Sequence, residues 1–97
     1  MAVDMEREAG ALRRALADRG LTHLSVETRG MALTVLADAE PDIRLRHVGD
    51  GTWQLDLHHH SRRWEETPFE GDLDEMVDMA ESLGRLENDE LPWAWRE

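Results

Sequence analysis

The sequence predicts an α+β fold, a two-layer sandwich in which an N-terminal and a C-terminal helix pack on one face of a four-stranded antiparallel meander sheet. Three observations predict it. Apolar residues recur at helical spacing near both ends of the chain, they alternate with polar residues between positions 21 and 60, and glycine-containing turns divide that middle stretch. A sheet with one apolar face needs a cover, which two amphipathic helices supply.

The first helix is predicted over residues 4–19. An apolar stripe at helical spacing is formed by Met5, Ala9, Leu12 and Leu16. Gly20 follows directly, and glycine suits the left-handed position just after a helix. The pattern therefore predicts a helix of about four turns.

The next residues are predicted to form a hairpin with a two-residue turn at Arg29-Gly30. The resulting cross-strand pairs are Thr28 with Met31, Val26 with Leu33, and Leu24 with Val35. All of these side chains then lie on one face, whereas a slip of one residue would divide them between the two faces.

A second hairpin is predicted after a loop at residues 38–41. Its strands run over residues 42–48 and 52–60, and the second of them could extend to Trp64. A two-residue Asp-Gly turn would set Leu45 opposite Asp56, so a three-residue loop, 49–51, is favoured. That loop pairs Leu45 with Leu55, Ile43 with Leu57, and Arg44 with Asp56.

Residues 65–71 are expected to be a polar connector that precedes the second helix. Asp72 is predicted to be the N-cap, and Glu75 completes a capping box three residues later. The apolar stripe of this helix comprises Leu73, Met76, Val77, Ala80 and Leu83. The helix ends either near Gly84 or at about Glu87.

Length and composition predict one soluble, cytoplasmic domain, residues 1–97, whose residues 88–97 form a tryptophan-containing C-terminal tail. The chain has no cysteine, its first residues do not resemble a secretory signal, and no apolar run approaches the roughly 18 residues of a membrane span. All eleven basic residues are arginine, which favours a GC-rich, bacterial coding sequence. The net charge of −11 disfavours nucleic acid as a partner.

The triple histidine, residues 58–60, lies in the fourth predicted strand. Alternation directs Trp53, Leu55, Leu57 and His59 toward the helices, and Gln54, Asp56, His58 and His60 away from them. Asp56, His58 and His60 are weak candidates for metal ligands, because nothing else completes a coordination sphere, and a solvated strand surface is the simpler interpretation. No metal or other cofactor is therefore predicted.

The outer sheet face is predicted to be mildly basic, with Arg44 and Arg46 beside these polar side chains. Sheet faces that bind RNA use aromatic side chains to stack on bases. In this register no aromatic up to His60 lies on the outer face, and Trp64 would do so only if the strand ran that far. An anionic protein surface suits this face better than RNA.

The second helix and the tail carry the candidates for protein interaction. Asp74, Glu75, Asp78 and Glu81 lie on the exposed side of the helix, either as a solvated face or as a docking surface for a basic partner. Trp93 and Trp95 either fold back beside Trp64 and Phe69 or dock on a second chain, which would make a homodimer.

No residue has a recognisable catalytic context, so the protein is predicted not to be an enzyme. The favoured function is a small acidic cytoplasmic protein-interaction module, chaperone-like or inhibitor-like, whose partner is another protein with a basic surface. The overall layout is similar to that of small acidic α+β secretion chaperones at the level of fold alone. The alternative is a metal- or small-ligand-binding domain that uses the outer face of the fourth strand.

Overall fold

Residues 4–59 and 62–86 are described by the computed structural model, which has an α+β fold. The elements in chain order are α1 (Met5–Asp18), β1 (Leu24–Arg29), β2 (Ala32–Ala37), β3 (Glu40–Gly49), β4 (Thr52–His58), β5 (Trp64–Gly71) and α2 (Leu73–Ser82). The strands form one antiparallel sheet in the order β1-β2-β3-β4-β5. Both helices pack on one face of the sheet and contact each other. The predicted fold class is confirmed, with five strands in place of four.

Both helices begin at an aspartate N-cap, of which Asp72 is the predicted one. Asp4 precedes α1 and accepts a hydrogen bond from the Arg7 backbone N–H at 3.2 Å. In α2 the Asp72 side chain accepts from the Glu75 N–H at 2.8 Å, and the Asp72 N–H donates to the Glu75 side chain at 2.9 Å. Two orphan donors are thus satisfied reciprocally, which fixes where α2 starts. Neither of these two helices, among the described residues, is long and apolar enough to cross a membrane.

The core lies between the helices and the inner face of the sheet. It is formed by Ala9, Leu12, Leu16, Val26, Leu33, Val35, Ile43, Leu45, Trp53, Leu55, Met76, Val77, Ala80 and Leu86. Burial of these apolar side chains is the main force that holds the two layers together. Phe69 and Leu73 pack against the edge of the same core.

Residues 65–71, expected to be a connector, form most of the fifth strand. The chain reverses after β4, where the His59 N–H donates to the Arg63 carbonyl and the Arg62 N–H donates to the His59 carbonyl, both at 2.9 Å. Trp64 therefore begins β5 rather than ending β4. The strand lies at the edge of the sheet, where a proline such as Pro68 is tolerated because one side of the strand needs no ladder hydrogen bonds.

The register of the first hairpin differs from the predicted one by two residues. Its pairs are Arg29 with Ala32, Thr28 with Leu33, Val26 with Val35, and Leu24 with Ala37. The turn therefore contains Gly30, whose φ is +56°, and Met31, which is 49% exposed. A shift of two residues keeps every side chain on its face, so the apolar alternation could not distinguish the two registers.

The second hairpin has the predicted pairs. Leu45 lies opposite Leu55, Ile43 opposite Leu57, and Arg44 opposite Asp56. Gly49 pairs with Thr52, so the turn contains Asp50 and Gly51 in place of the predicted three residues, and an irregularity of the ladder between His47 and Gly49 keeps the predicted pairs. Gly51 adopts the predicted left-handed conformation, with φ of +65°. The charged pair and the two apolar pairs together select this register.

The turn between β2 and β3 contains two left-handed residues that are not glycine. Asp38 and Ala39 have φ of 53° and 67°. The left-handed region costs an L-residue other than glycine roughly 1–2 kcal/mol, more than the flexibility that glycine adds to the unfolded chain. We therefore expect Ala39→Gly to raise the free energy of unfolding by about 0.5–1 kcal/mol, measured by urea denaturation.

The control for this prediction is a substitution by glycine at a position that has ordinary helical conformation. Ala11 is exposed in α1, and Ala11→Gly should lower the free energy of unfolding by about 1 kcal/mol. Equal destabilisation by the two substitutions would show that Ala39 does not occupy a left-handed turn.

Candidate functional site

Asp56 has no exposed surface although it lies on the outer face of the sheet. Its Oδ2 atom accepts hydrogen bonds from Arg44 Nε at 3.0 Å and from Arg46 Nε at 2.6 Å, and it lies 2.9 Å from Arg44 Nη2. Arg46 Nη2 donates to Oδ1 at 3.3 Å. Two long side chains from β3 thus cover the carboxylate and hold it in charge-assisted hydrogen bonds.

The same two arginines contact further side chains on β4 and β5. Arg44 Cζ lies 4.4 Å from the centre of the Trp64 ring, a cation–π arrangement. His58 meets the same indole edge to face, with ring centres 4.9 Å apart. Arg46 Nη2 lies 3.4 Å from the carboxylate of Glu66. The structure therefore fixes both guanidinium groups from several sides.

Hydrogen bonding to Asp56 raises the pKa of Arg46 above its ordinary value, and this effect outweighs the opposing effect of burial. Arg46 consequently stays charged at any physiological pH. We call this set the outer arginine cluster: Arg44, Arg46, Asp56, His58, Trp64 and Glu66.

The outer arginine cluster is not the mildly basic face that the sequence predicts. Two guanidinium groups face two carboxylates, because β5 brings Glu66 opposite Asp56. Because the sequence predicts a connector at residues 65–71, it does not place Glu66 on the outer face. Trp64 also lies on this face, as the first residue of β5 and not as part of an extended β4. Arginine clustering thus stabilises the sheet surface without giving it a net charge.

This arrangement does not favour a metal ion at the weak candidate site. Asp56 is already held by two cations, which a divalent ion would have to displace, and Asp56 is the acidic ligand that the site requires. Across residues 4–59 and 62–86, no group of three suitable side chains is placed to hold a metal. The third candidate, His60, lies outside the described residues. His59 bonds to Glu65, with 2.6 Å between Nε2 and Oε1.

On the opposite side of the molecule, Arg19 joins the end of α1 to the exposed side of α2. Its Nε and Nη2 donate to Asp78 Oδ1 at 3.1 and 3.0 Å, and its Nη1 donates to Asp74 Oδ1 at 3.2 Å. The Arg19 Nη1 also donates to the Ala15 carbonyl at 2.9 Å, and Nε lies 3.7 Å from Glu81 Oε1. The planar fork of arginine suits this bridging role, which lysine could not fill.

Burial lowers the pKa of Arg19, but hydrogen bonds and charge interactions with Asp78 and Asp74 raise it by more, so its pKa lies above the ordinary value. Such a group contributes its stabilisation at every pH below the ordinary arginine pKa and loses it only above that range. Arg19 therefore stays charged at physiological pH, and its own titration does not weaken the contact between α1 and α2.

The four predicted acidic residues of α2 have two different roles. Glu75 serves the capping box. Asp74, Asp78 and Glu81 surround Arg19, and we call them the acidic face. Three carboxylates meet one guanidinium, which leaves an excess of two negative charges. Arg19 lies more than fifty residues before them in the chain, so no local pattern could predict its contact with them.

Both edges of the sheet carry features that oppose strand addition. At β1, Arg13 Nη2 donates to the Val26 carbonyl at 3.1 Å, so a side chain of α1 takes an acceptor of this edge strand. At β5, the edge carries Pro68 and the exposed acids Glu65, Glu66 and Glu70. Charges, proline and covering side chains are the means by which proteins keep edge strands from pairing with other chains.

The remaining interaction candidates, Trp93 and Trp95, lie outside the described residues. Of their two expected neighbours within the chain, Trp64 is on the outer face and Phe69 packs against the core, on the opposite side of β5.

Comparison of the chain with protein-family models, curated proteins and solved structures finds no match. Its function is therefore inferred from its own residues.

Proposed function

We propose that this protein is a small acidic protein-interaction module of the cytoplasm that docks a basic surface of a partner protein on the acidic face. The exposure of these carboxylates is the observation that carries the proposal. Asp74 and Asp78 have side chains that are 72% and 68% exposed, although both touch Arg19. Their outer oxygens remain accessible to arginine or lysine side chains of another chain.

Electrostatics supports a role in recognition more than in stability. A net charge of −11, concentrated in the last third of the chain, attracts a basic surface over a distance of about one Debye length, roughly 8–10 Å. Such attraction mainly raises the association rate and the selectivity for oppositely charged partners. Binding should therefore weaken steeply as salt is added.

The C-terminal end of α2 adds an apolar contact to the charged surface. Leu83 is 41% exposed and directly follows the helix, and Met79 is half-buried one turn earlier. Interfaces commonly combine an apolar centre with a polar rim. A chaperone-like or inhibitor-like protein that shields a basic partner fits this combination.

The experiment compares two variants of equal net charge in pull-downs from native lysate at low and high salt. The test variant carries Asp74→Asn, Asp78→Asn and Glu81→Gln, which keep hydrogen-bond acceptors beside Arg19. The control carries Asp18→Asn, Glu27→Gln and Glu40→Gln, at exposed positions outside α2. We expect the test variant to lose affinity for a basic partner at least about tenfold, corresponding to ~1.4 kcal/mol, and the control to keep it.

Two results would contradict the proposal. Wild-type protein that retains no other protein at low salt has no such partner in the lysate. Equal retention by the two variants, for a partner subsequently purified and titrated, would mean that net charge matters and the acidic face does not.

A further inference from the structure

Five oxygen atoms surround the guanidinium group of Arg19. They are Asp78 Oδ1, 3.1 Å from Nε and 3.0 Å from Nη2, Asp74 Oδ1 at 3.2 Å, the Asp74 carbonyl at 3.3 Å, the Ala15 carbonyl at 2.9 Å, and Glu81 Oε1 at 3.7 Å. Two of the five are main-chain carbonyls, one from each helix, so the backbone fixes part of this ring of acceptors. A planar fork of donors suits such a ring, whereas the single ammonium group of lysine does not.

The tight end of α1 makes the Ala15 carbonyl available to a guanidinium group. The Arg19 backbone N–H donates to the Leu16 carbonyl at 3.1 Å, three residues back instead of the four of a regular helical turn. The last carbonyls of a helix lack partners within the helix and are satisfied by side chains, water or ligands. The Ala15 carbonyl is thus an acceptor for any guanidinium group that reaches the same place.

Contacts that are open to water hold Arg19 in this ring. Asp74, Asp78 and Glu81 are all exposed, and ion pairs of exposed carboxylates are individually weak. Within residues 4–59 and 62–86, the Oδ2 atoms of Asp74 and Asp78 accept no hydrogen bond, so an incoming guanidinium group can bind there first. The Arg19 side chain is not part of the apolar core, so it can leave the ring while the core stays packed.

We propose that these five oxygens form an arginine-recognition site, that Arg19 fills it in the free chain, and that an arginine of the basic partner replaces Arg19 on binding. This proposal rests on the proposed function and names the side chain that the partner contributes. Arg19 is then an autoinhibitory contact, because the affinity for the partner is reduced by the fraction of molecules in which the site is open. A partner displaces Arg19 only if it presents an arginine at the acidic face.

Fluorescein-labelled tetra-arginine and tetra-lysine peptides test this exchange in anisotropy titrations of the full-length protein at physiological ionic strength. Arg19→Met should raise the affinity for tetra-arginine about tenfold, because the site is then open in every molecule. Arg19→Lys keeps the net charge and should raise the same affinity about threefold, because lysine fills the ring poorly. The control Arg14→Met removes one charge at an exposed position of α1 and should change the affinity less than about twofold. The affinity for tetra-lysine should change less than about twofold in Arg19→Lys.

A direct readout in the wild type is the Nε–H signal of Arg19 in the ¹⁵N–¹H spectrum. Saturating tetra-arginine should make this proton exchange faster with water, as Arg19 leaves Asp78, and tetra-lysine should not. Circular dichroism checks that each variant folds, and Arg19→Lys decides the result if Arg19→Met does not.

Three results would overturn the exchange and leave the acidic face as a docking surface. They are equal gains for Arg19→Met and Arg14→Met, equal gains for the two peptides in Arg19→Lys, and an Arg19 Nε–H that tetra-arginine does not affect. Binding of neither peptide by the wild type or any variant would contradict both the exchange and the proposed function.

Discussion

Asp56→Leu should lower the free energy of unfolding by about 2–3 kcal/mol, because two guanidinium groups lose the carboxylate that lies between them. Breaking a fully buried ion pair costs roughly 3–5 kcal/mol. The expected loss is smaller here because the arginine side chains are 27% and 32% exposed and can turn partly toward water. Urea denaturation measures the change.

Two companion variants show whether burial of the carboxylate is the cause. Glu66→Gln removes the exposed carboxylate beside the same Arg46 and should cost less than about 0.5 kcal/mol. Combining Asp56→Leu with Arg44→Met and Arg46→Met removes all three charges together and should recover most of the lost stability. Equal effects of Asp56→Leu and Glu66→Gln would contradict the burial of Asp56.

Titration of Arg46 should not make the destabilisation by Asp56→Leu depend on pH. The raised pKa of Arg46 means that its contribution is fully present below the ordinary arginine pKa and disappears only above it. Between about pH 6 and pH 9, titration of Arg46 should therefore not alter the difference between wild type and Asp56→Leu.

Trp53→Ala should lower the free energy of unfolding by about 3–5 kcal/mol, whereas Trp64→Ala should cost about 1 kcal/mol. The two tryptophans lie on adjacent strands but on opposite faces of the sheet. Trp53 is 1% exposed in the core and also meets His47 edge to face. Trp64 instead lies beneath Arg44 on the outer face, where its loss leaves no internal cavity.

Thermal and urea denaturation of the two variants measure this difference. Because a domain of this size has only about 5–15 kcal/mol of stability, Trp53→Leu serves as a milder variant if Trp53→Ala does not fold. A larger loss for Trp64→Ala than for Trp53→Leu would mean that the faces have been assigned the wrong way round.

Local patterns were sufficient to predict both helices and the strand pairing of the second hairpin. The Asp72–Glu75 capping box fixes the start of α2. Leu45–Leu55 and Arg44–Asp56 choose one register because a slip would place a charge opposite an apolar residue. In such cases the information lies within a few residues of the element that it specifies.

The missed features depend on the position of a segment in the sheet or on distant partners. β5 resembles a connector because an edge strand carries acids and tolerates Pro68. Two registers of the first hairpin place the same side chains on the same face of the sheet. The structure has the one in which Gly30, with its positive φ, is the first of the two turn residues. The burial of Asp56 follows from the lengths of two arginine side chains in three dimensions, which alternation along a strand does not report.

The five strands lie in the sheet in the same order as in the chain, and this order affects how the protein folds. Each strand pairs with its neighbour in sequence, so the sheet can be assembled through short loop closures, which favours rapid folding. Arg19, in contrast, meets Asp74 and Asp78 across 55 and 59 residues of chain. Closing that long loop is entropically the most demanding step, so we expect the two helices to be joined late, after the ladder has brought their strands together.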